Sequence, residues 1–388
     1  MRILHTADWH LGKLLKGTDR TPEIAAALEE VLALVKSERI ERVLVAGDLF
    51  DRPQVSAEAE AAAFSFFRRL HELQVPALVI GGNHDSRDRL EALSPLLALA
   101  GVTVLGEVRL FGQGGVVRFP GGQAALLPFL SERRLVKAQM LLDGEGTQWK
   151  GVYADGMRRV VDNLCAGMSG AGVNLMMGHL TAEGSRLGGG EFQFYCTNSY
   201  AVSPSTFPTS LNYVALGHIH RQQQVGEAPI AWYSGSLIQL DFGEGENAPR
   251  GALIVEAEPG VLPKVHPVEA RWGKPLKTFR MKVEHLERRL DELATWGGYA
   301  KLVLEGRGNA ALRERLFKEF SGLLEVEFNT PESEAVRVAP PMPEELDWAE
   351  TYASYIRDTY VSEPDEALLS AFRQVYEEVH AVEEAVGS

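Results

Sequence analysis

The sequence contains very little cysteine. Only two are present in 388 residues, Cys165 and Cys196, and they do not form a CxxC pair. Disulfide frameworks and zinc sites built on thiolates need more cysteines than this, so both classes are excluded. A chain so poor in cysteine is typical of a reducing compartment, and we expect the protein to be cytoplasmic with two inert thiols.

Long apolar runs are also missing. No stretch approaches the roughly 18 consecutive apolar residues that a membrane-spanning helix needs. The first residues, MRILHTADWHLG, lack the charged segment followed by an apolar segment that marks a signal peptide. We therefore expect a soluble protein with no membrane partner.

Basic charge is scarce as well, because the formal net charge is −14. Proteins that bind nucleic acid usually present a basic surface. Residues 341–388 hold 12 acidic and two basic residues, a net charge of −10, which leaves −4 for the first 340 residues. Carboxylates around a metal site would also be neutralised by bound cations. Net charge therefore neither excludes nor supports a polyanionic substrate.

Short apolar runs alternate with helical stretches over roughly the first 258 residues. Runs such as RVLVAG and PALVIGG are apolar on both faces, which is typical of strands covered by helices or by a second sheet. We predict an α/β fold with two sheets flanked by helices, and strands from Arg2–Ala7 to Ala252–Glu256. The predicted helices are Thr21–Glu38, Ala57–Leu73, Arg89–Ala100 and Met157–Met168.

Changes in composition predict three domains. Residues 259–277 hold four prolines and little periodicity, so we place a linker there and assign residues 1–270 to the main domain. A strand and helix alternation then predicts a small α/β module over residues 271–335. Residues 336–388 comprise a linker rich in proline and glutamate and two helical segments.

Polar residues end five of the apolar runs. These motifs are DWH at 8–10, GDLFD at 47–51, GNHD at 82–85, GH at 178–179 and GHIH at 217–220. Functional sites in α/β sheets form outside the carboxyl ends of the strands. Each motif alone is short enough to occur by chance. Five of them in order, each ending a run, predict one convergent site.

The residue types at these positions indicate a metal site. Seven candidate ligands are present: Asp8, His10, Asp48, Asn83, His179, His218 and His220. One tetrahedral zinc takes only four ligands, whereas two cations bridged by a carboxylate would use them all. Such a pair can clamp a phosphoryl group and activate water for in-line attack. Mixed imidazole and carboxylate ligands suit Mn, Fe or Zn better than Mg or Ca.

The ordered motif set DxH, GDLFD, GNHD, GH and GHIH resembles the calcineurin-like metallophosphoesterase superfamily. The resemblance implies one cation held by Asp8, His10, Asp48 and His220, and another held by Asp48, Asn83, His179 and His218. It also implies that His84 acts on the phosphate and the leaving oxygen, as transition-state stabiliser or general acid. We expect the neighbouring Asp85 to orient His84, and so to be a second catalytic residue.

Further features extend the resemblance over the whole chain: the DWHLG start, GDLFDRP, the YSGS at 233–236, the small α/β module and the acidic helical tail. With these features the chain resembles the nuclease subunits of bacterial ATPase–nuclease complexes that process DNA double-strand breaks. It implies an Mn²⁺-dependent double-strand 3′–5′ exonuclease that also cleaves single strands and hairpins. It further implies a DNA-capping role for residues 271–335, a homodimer, and docking of the C-terminal helices on an ATPase partner.

Two alternatives remain open from the sequence. One is a phosphatase or cyclic-nucleotide phosphodiesterase of the same superfamily, although protein phosphatases usually read GDxVDRG and GNHE. The other is a scaffold that has lost its metals, which the seven intact ligand positions disfavour.

Basic residues near the motifs are candidates for contacts with DNA phosphates, with a solvated surface charge as the alternative for each. They are Lys13, Lys16, Arg52, Arg87 and Arg89.

Two sets of apolar residues are candidates for protein contacts. The helices over 57–73 and 89–100 are more apolar than one buried face requires, and the resemblance places a dimer contact in this region. We assign Phe64, Phe67, Leu93 and Leu97 to that contact, with burial in this chain's own core as the alternative. The tail helices predict an ATPase-binding surface made of Trp348, Tyr352, Tyr355, Leu369, Phe372 and Tyr376, with packing onto the body as the alternative.

Overall fold

The computed structural model describes residues 1–131, 134–135, 153–168, 170, 172–191, 200–329, 365–366 and 369–370. Residues Met1–Phe328 form one compact unit and Asn329–Ser388 a second. The α-helices among the described residues are α1 Thr21–Ser37, α2 Ala57–Glu72, α3 Arg87–Ala98, α4 Tyr153–Cys165, α5 Leu290–Ala294 and α6 Ala310–Glu319. Short 3₁₀ helices cover Phe111–Gln113, Pro204–Thr206 and Val283–Arg289.

The described strands are numbered in chain order. They are β1 Arg2–Thr6, β2 Leu14–Leu15, β3 Thr18–Asp19, β4 Arg42–Val45, β5 Ala77–Ile80, β6 Val102–Leu105, β7 Val116–Phe119, β8 Gly122–Leu127, β9 Val173–His179, β10 Thr181–Ala182, β11 Ala201–Val202, β12 Tyr213–Gly217, β13 Gln223–Glu227, β14 Ile230–Tyr233, β15 Gly251–Glu256, β16 Lys264–Glu269, β17 Leu276–Lys282, β18 Tyr299–Glu305 and β19 Leu323–Asn329.

Two six-stranded sheets form the body of the protein. The first has the strand order β16-β15-β1-β4-β5-β6, and the second has the order β13-β14-β12-β9-β8-β7. The central strands of each sheet run parallel. Antiparallel strands close both edges of the second sheet and one edge of the first, whose other edge strand, β6, is parallel to β5. Parallel strands end on the same side, so both sheets bring several carboxyl ends to one edge.

Alternate side chains of the central strands enter different cores. Leu44 of β4 faces the second sheet, where it shares a core with Leu126 and Leu175, while its neighbours Val43 and Val45 pack against α1 and α2. On the far side, α4 covers the second sheet through a separate apolar cluster. The predicted class, two sheets flanked by helices, is therefore confirmed.

Serine caps fix the starts of two helices. The Ser56 hydroxyl accepts a hydrogen bond from the Ala59 N–H at the start of α2, and the Ser86 hydroxyl accepts one from the Arg89 N–H at the start of α3. Because Ser86 is the cap, α3 begins at Arg87, two residues before the predicted start. Helix α4 also begins earlier than predicted, at Tyr153.

Part of the predicted linker is a strand. Residues Lys264–Glu269 form β16 and pair antiparallel with β15. Pro267 lies within this strand, and proline is tolerated there because β16 is the edge strand of its sheet. The prolines of residues 259–277 were therefore a misleading signal for a continuous linker.

The small α/β module has its own core. Its sheet has the order β17-β18-β19, and Phe279, Leu302 and Leu316 are buried within it together with seven other residues. The module belongs with the main body to the first compact unit. The three-domain division stays a prediction.

Two of the four residues assigned to a dimer contact are buried in this chain's own core. Phe67 is 1% exposed and packs against Trp9, and Leu97 is 8% exposed. Phe64 and Leu93 are partly buried against the same core. The assignment of Phe67 and Leu97 is therefore corrected, and that of Phe64 and Leu93 stays a prediction.

Most of the predicted tail surface falls beyond the described part of the chain. Of the six residues assigned to ATPase binding, Trp348, Tyr352, Tyr355, Phe372 and Tyr376 lie outside the described residues, and Leu369 is described as half-buried. None of the helices in the described part of the chain is both long enough and apolar enough to cross a membrane.

Candidate metal centre

The carboxyl ends of β1, β4 and β5 in the first sheet meet those of β9 and β12 in the second. Strand pairing fixes the relative positions, since Thr6 lies opposite Val45 and Gly217 lies opposite His179. All seven predicted ligands lie at this junction. Six are almost fully buried and the seventh, Asn83, is half-buried.

The backbone at the junction is strained. Asp8, His10 and Asp48 each have φ of 52°, and His218 has φ of 99°. A residue with a side chain in this left-handed region costs about 1–3 kcal/mol, and such strain persists where the surroundings impose it. Here the Asp8 N–H donates to the Gly47 carbonyl and the His10 N–H donates to the Asp48 carbonyl.

Two glycines are required by close packing. A Cβ atom at Gly47 would lie 2.2 Å from His179 Nδ1, and Gly47 itself has φ of +97°. A Cβ atom at Gly82 would lie 2.1 Å from Asp48 Oδ1. Any side chain at either position would therefore displace a candidate ligand.

One group of donors comprises Asp8, His10 and His220, which offer atoms within 4.8 Å of one another. His10 Nε2 lies 3.2 Å from His220 Nε2 and 3.7 Å from Asp48 Oδ2. Asp8 Oδ1 accepts a hydrogen bond from the His218 N–H, but buried Asp8 Oδ2 has no hydrogen-bond partner in the described part of the chain. An unpartnered buried carboxylate oxygen is the feature that a bound cation would satisfy.

The second group comprises Asp48, His179 and His218, again within 4.8 Å, with Asn83 beside them. Asn83 Oδ1 lies 2.8 Å from His218 Nδ1 and 3.0 Å from His179 Nε2. Asp48 Oδ2 is 3.3 Å from His179 Nε2 and also faces His10 of the first group. Asp48 is therefore shared by both groups.

The tautomer of His179 favours a cation. Its Nδ1 lies 2.8 Å from the Ala46 carbonyl oxygen, and because a carbonyl only accepts, Nδ1 carries the proton. Nε2 then faces Asn83 Oδ1 at 3.0 Å and Asp48 Oδ2 at 3.3 Å. These oxygens need positive charge at Nε2, supplied by a second ring proton or by a cation that binds the Nε2 lone pair.

The buried donors have shifted pKa values, and the direction of the shift differs from one donor to the next. Burial alone would lower the pKa of His179, but the Asp48 carboxylate outweighs it and raises that pKa to about 9. Burial raises the pKa of Asp8 to about 6. Burial also lowers the pKa of His10 to about 4. A cation that binds such a cluster takes the place of protons.

Comparisons with known proteins agree with this geometry. A family model described as calcineurin-like phosphoesterase matches residues 1–222. The SbcD component of the SbcCD nuclease of Bacillus subtilis is 31% identical over 344 residues, covering 84% of this chain and 85% of that protein. The protein of the same name from Rhodobacter capsulatus is 32% identical over 304 residues, covering 73% of this chain and 72% of its own.

The chain belongs to the SbcD-type calcineurin-like phosphoesterases. A solved structure of a dimetal phosphatase from Danio rerio is 13% identical, with a TM-score of 0.41, and covers 70% of this chain and 99% of its own. Members of the calcineurin-like family use divalent metals, and the donor set of this SbcD-type chain fits two of them.

His84 lies beside the donors and is half-buried, like Asn83, and it forms a further group of possible donors with His10 and Asp48. Its backbone N–H donates to Asp48 Oδ1, and its ring centroid is 4.7 Å from that of His10. Its Nδ1 lies 2.8 Å from the Asp51 carbonyl oxygen, so Nδ1 carries a proton. This leaves Nε2 as the ring nitrogen available to a substrate.

Asp85 does not orient His84 as we expected. Its carboxylate accepts hydrogen bonds from the backbone N–H groups of Gly82, Phe50 and Leu49, at 2.9, 3.0 and 3.3 Å. The Asp51 carbonyl is the partner of the His84 ring instead. Asp85 therefore ties together the two loops that carry Asp48 and Asn83, which is a structural role in this SbcD-type site.

Two of the basic DNA candidates lie beside the centre. Lys13 Nζ is 3.1 Å and Arg52 is 3.5 Å from the carboxylate of Asp51, which in turn lies 3.3 Å from His10 Nδ1. Arg52 is half exposed, with 52% of its side chain accessible.

The other three basic candidates are engaged with carboxylates elsewhere. Lys16 pairs with Glu325 of the small module at 2.9 Å. Arg87 pairs with Asp88 and Glu107, and Arg89 pairs with Glu60. Lys16, Arg87 and Arg89 therefore match the alternative to a DNA contact, since they are surface charges held in ion pairs.

Sequence reasoning missed three neighbours of the SbcD-type centre. Glu244 Oε1 lies 2.9 Å from His220 Nδ1, Glu191 accepts a hydrogen bond from the His220 N–H, and the Phe129 ring stacks on His218. Glu191 and Glu244 lie in loops rich in glycine, where no periodic pattern marks a buried carboxylate. The only available signal was an acidic residue within each glycine cluster.

We predict that Asp85→Ala will lower stability. It would leave buried N–H groups without an acceptor, at about 1–3 kcal/mol for each. Denaturant unfolding of the metal-free protein should show a loss of about 3 kcal/mol or more, whereas Asp88→Ala on the exposed surface should leave the free energy of unfolding nearly unchanged. Equal stability of both variants would show that the Asp85 bonds are unimportant.

Proposed function

We propose that this SbcD-type nuclease hydrolyses DNA phosphodiesters with two divalent cations, Mn²⁺ in the cell. The observation that supports this proposal most directly is the two donor groups that share the Asp48 carboxylate. The curated relatives are named as nuclease subunits, which supports a nucleic acid as substrate.

The cation positions follow from the two donor groups. Asp8, His10, Asp48 and His220 would hold one cation. The other would be held by Asp48, Asn83, His179 and His218. When bound, such a pair supplies Lewis-acid stabilisation of the charge that develops on a phosphoryl group.

His84 is the proposed catalytic residue for proton transfer. Its Nδ1 proton is bound by the Asp51 carbonyl, which fixes the ring, and its Nε2 is free of that contact. The ring is half-buried, whereas six of the seven proposed ligands are almost fully buried, so a substrate can reach it. We propose that Nε2 holds a proton for the leaving oxygen and stabilises the transition state.

The proposed substrate is DNA, with 3′–5′ exonuclease activity on double strands and endonuclease activity on single strands and hairpins. Lys13 and Arg52 are the cations closest to the centre among the five candidates, and we propose that they contact phosphates. Asp51 holds both of these side chains next to His10.

We predict that His84→Ala will keep both cations and lose nuclease activity by about 10²–10⁴-fold, the usual contribution of a positioned acid or base. The assay is Mn²⁺-dependent digestion of end-labelled linear duplex, with bound metal measured on the same sample. His71→Ala, an exposed histidine on α2, is the matched control.

Three results would contradict this account. Retained cleavage by His84→Ala would refute the catalytic role. Loss of a cation from the same variant would make His84 a ligand instead. Hydrolysis of a phosphomonoester without cleavage of duplex would favour the phosphatase alternative.

The proposed partners are an SbcC-type ATPase, bound through the two helical segments predicted for residues 336–388, and a second copy of this chain. For the homodimer we propose Leu96 and Leu99, which are 62% and 78% exposed. Leu96 lies in the last turn of α3 and Leu99 is its C-cap, so the two side chains are three residues apart on neighbouring positions at the end of the helix. Exposed leucines grouped in this way are typical of a contact surface.

We predict that Leu96→Glu combined with Leu99→Glu will convert the dimer to a monomer, because charge would replace the apolar contact. Light scattering of the purified chain measures the mass directly. Leu262→Glu, at a leucine that is 70% exposed in the loop between β15 and β16, should leave the mass unchanged. A dimer that survives the double substitution would place the contact elsewhere.

A further inference from the structure

A buried glutamine connects the small module to the loop beside the metal centre. Gln239 is 3% exposed. Its Oε1 accepts a hydrogen bond from the Leu276 N–H, the first residue of β17, at 2.8 Å. Its Nε2 donates to the Glu244 carbonyl at 2.9 Å. One side chain therefore holds the first strand of the module and the backbone of Glu244 together.

Glu244 continues this connection to a proposed ligand. It is also 3% exposed, and its Oε2 accepts a hydrogen bond from the Leu240 N–H at 3.0 Å. Its Oε1 lies 2.9 Å from His220 Nδ1, which must be the donor if the carboxylate is ionised. The contact fixes the His220 tautomer and leaves Nε2 directed at His10 Nε2, 3.2 Å away.

The pair formed by Glu244 and His220 is sealed by backbone. A Cβ atom at Gly190 would lie 2.5 Å from Glu244 Oε1 and 3.1 Å from His220 Nδ1, so the chain passes directly over the contact. Glu191 holds this segment in place by accepting hydrogen bonds from the N–H groups of Gly189 and His220. Water is therefore kept from the pair, which strengthens its electrostatic interaction.

The module end of the connection is also fixed. The Arg20 side chain is completely buried, and it donates to the Gln239 carbonyl at 3.1 Å and to the Lys274 carbonyl at 3.3 Å. Its guanidinium lies over the ring of Tyr299, the first residue of β18, at 5.2 Å from the ring centroid. The position of Gln239 thus depends on how the module packs against the main body.

Among the described residues, this connection reaches one of the two donor groups. The corresponding contact in the other group is made by His179 Nδ1 with the Ala46 carbonyl, which belongs to the first sheet. We propose that Glu244 is a positioning residue for His220 and that Gln239 links Glu244 to the module. The packing of the module against the body would then set the affinity of one cation position. This inference rests on the proposed two-cation function.

The test is a Mn²⁺ titration of the full chain by calorimetry, with electron paramagnetic resonance of the bound ions. Loss of a carboxylate that supports a ligating histidine typically weakens metal binding about 10–100-fold. We expect Glu244→Gln to weaken one site by that factor and to leave the other within about 2-fold. The resonance spectrum should change from a coupled pair to a single ion at limiting Mn²⁺.

Glu246→Gln is the matched control. It removes the same charge from the same loop, at an exposed residue. Equal effects of Glu244→Gln and Glu246→Gln would overturn the positioning role of Glu244, since charge alone would then explain both.

Gln239→Leu tests the link to the module separately, because it leaves both carboxylates intact. We expect the same site to weaken by about 2- to 30-fold, the range of coupling through such networks. Gln123→Leu removes another buried glutamine, whose amide donates to Asn174 in the second sheet, and should leave both affinities unchanged. If Glu244→Gln does not fold, Gln239→Leu decides the proposal.

The outcomes distinguish a failure of this inference from a failure of the proposed function. A wild-type chain that binds fewer than two Mn²⁺ ions contradicts the proposed function itself. A wild-type chain that binds two ions, with Gln239→Leu no different from Gln123→Leu, overturns the link to the module alone.

Discussion

The shared carboxylate of Asp48 is the interaction on which the site depends. It is buried at the end of β4, faces histidines from both sheets, and accepts a hydrogen bond from the His84 N–H. A buried carboxylate with so many neighbours requires compensating positive charge. The strained backbone at Asp48, the Gly82 backbone packed against it and the candidate ligands around it all help to hold that one group.

The fold explains why the donors come from both sheets. The two sheets pack face to face, so the carboxyl ends of their parallel strands meet at one edge. Each sheet contributes to both donor groups: Asp8 and His10 meet His220, and Asp48 and Asn83 meet His179 and His218. The site therefore exists only when the two sheets are correctly packed.

The convergence of the seven side chains could be predicted because each motif ends an apolar strand, and strand ends are local features of a sequence. The parts that failed depend on tertiary contacts. Asp85 follows His84 directly, yet its carboxylate turns to backbone N–H groups of another loop. Phe67 and Leu97 fit a contact surface equally well by pattern, and only packing shows that the core uses them. Glu244 lies 24 residues beyond His220 in an irregular loop, where nothing marks it as a partner of the ring.

The most direct test of a shared carboxylate is the number of Mn²⁺ ions bound by three variants. His218→Ala and His220→Ala each remove a proposed ligand from one proposed cation position, so each should retain one ion. Asp48→Ala removes a ligand from both positions and should retain none at concentrations that fill the wild-type sites. An Asp48→Ala protein that still binds one ion with wild-type affinity would contradict the account.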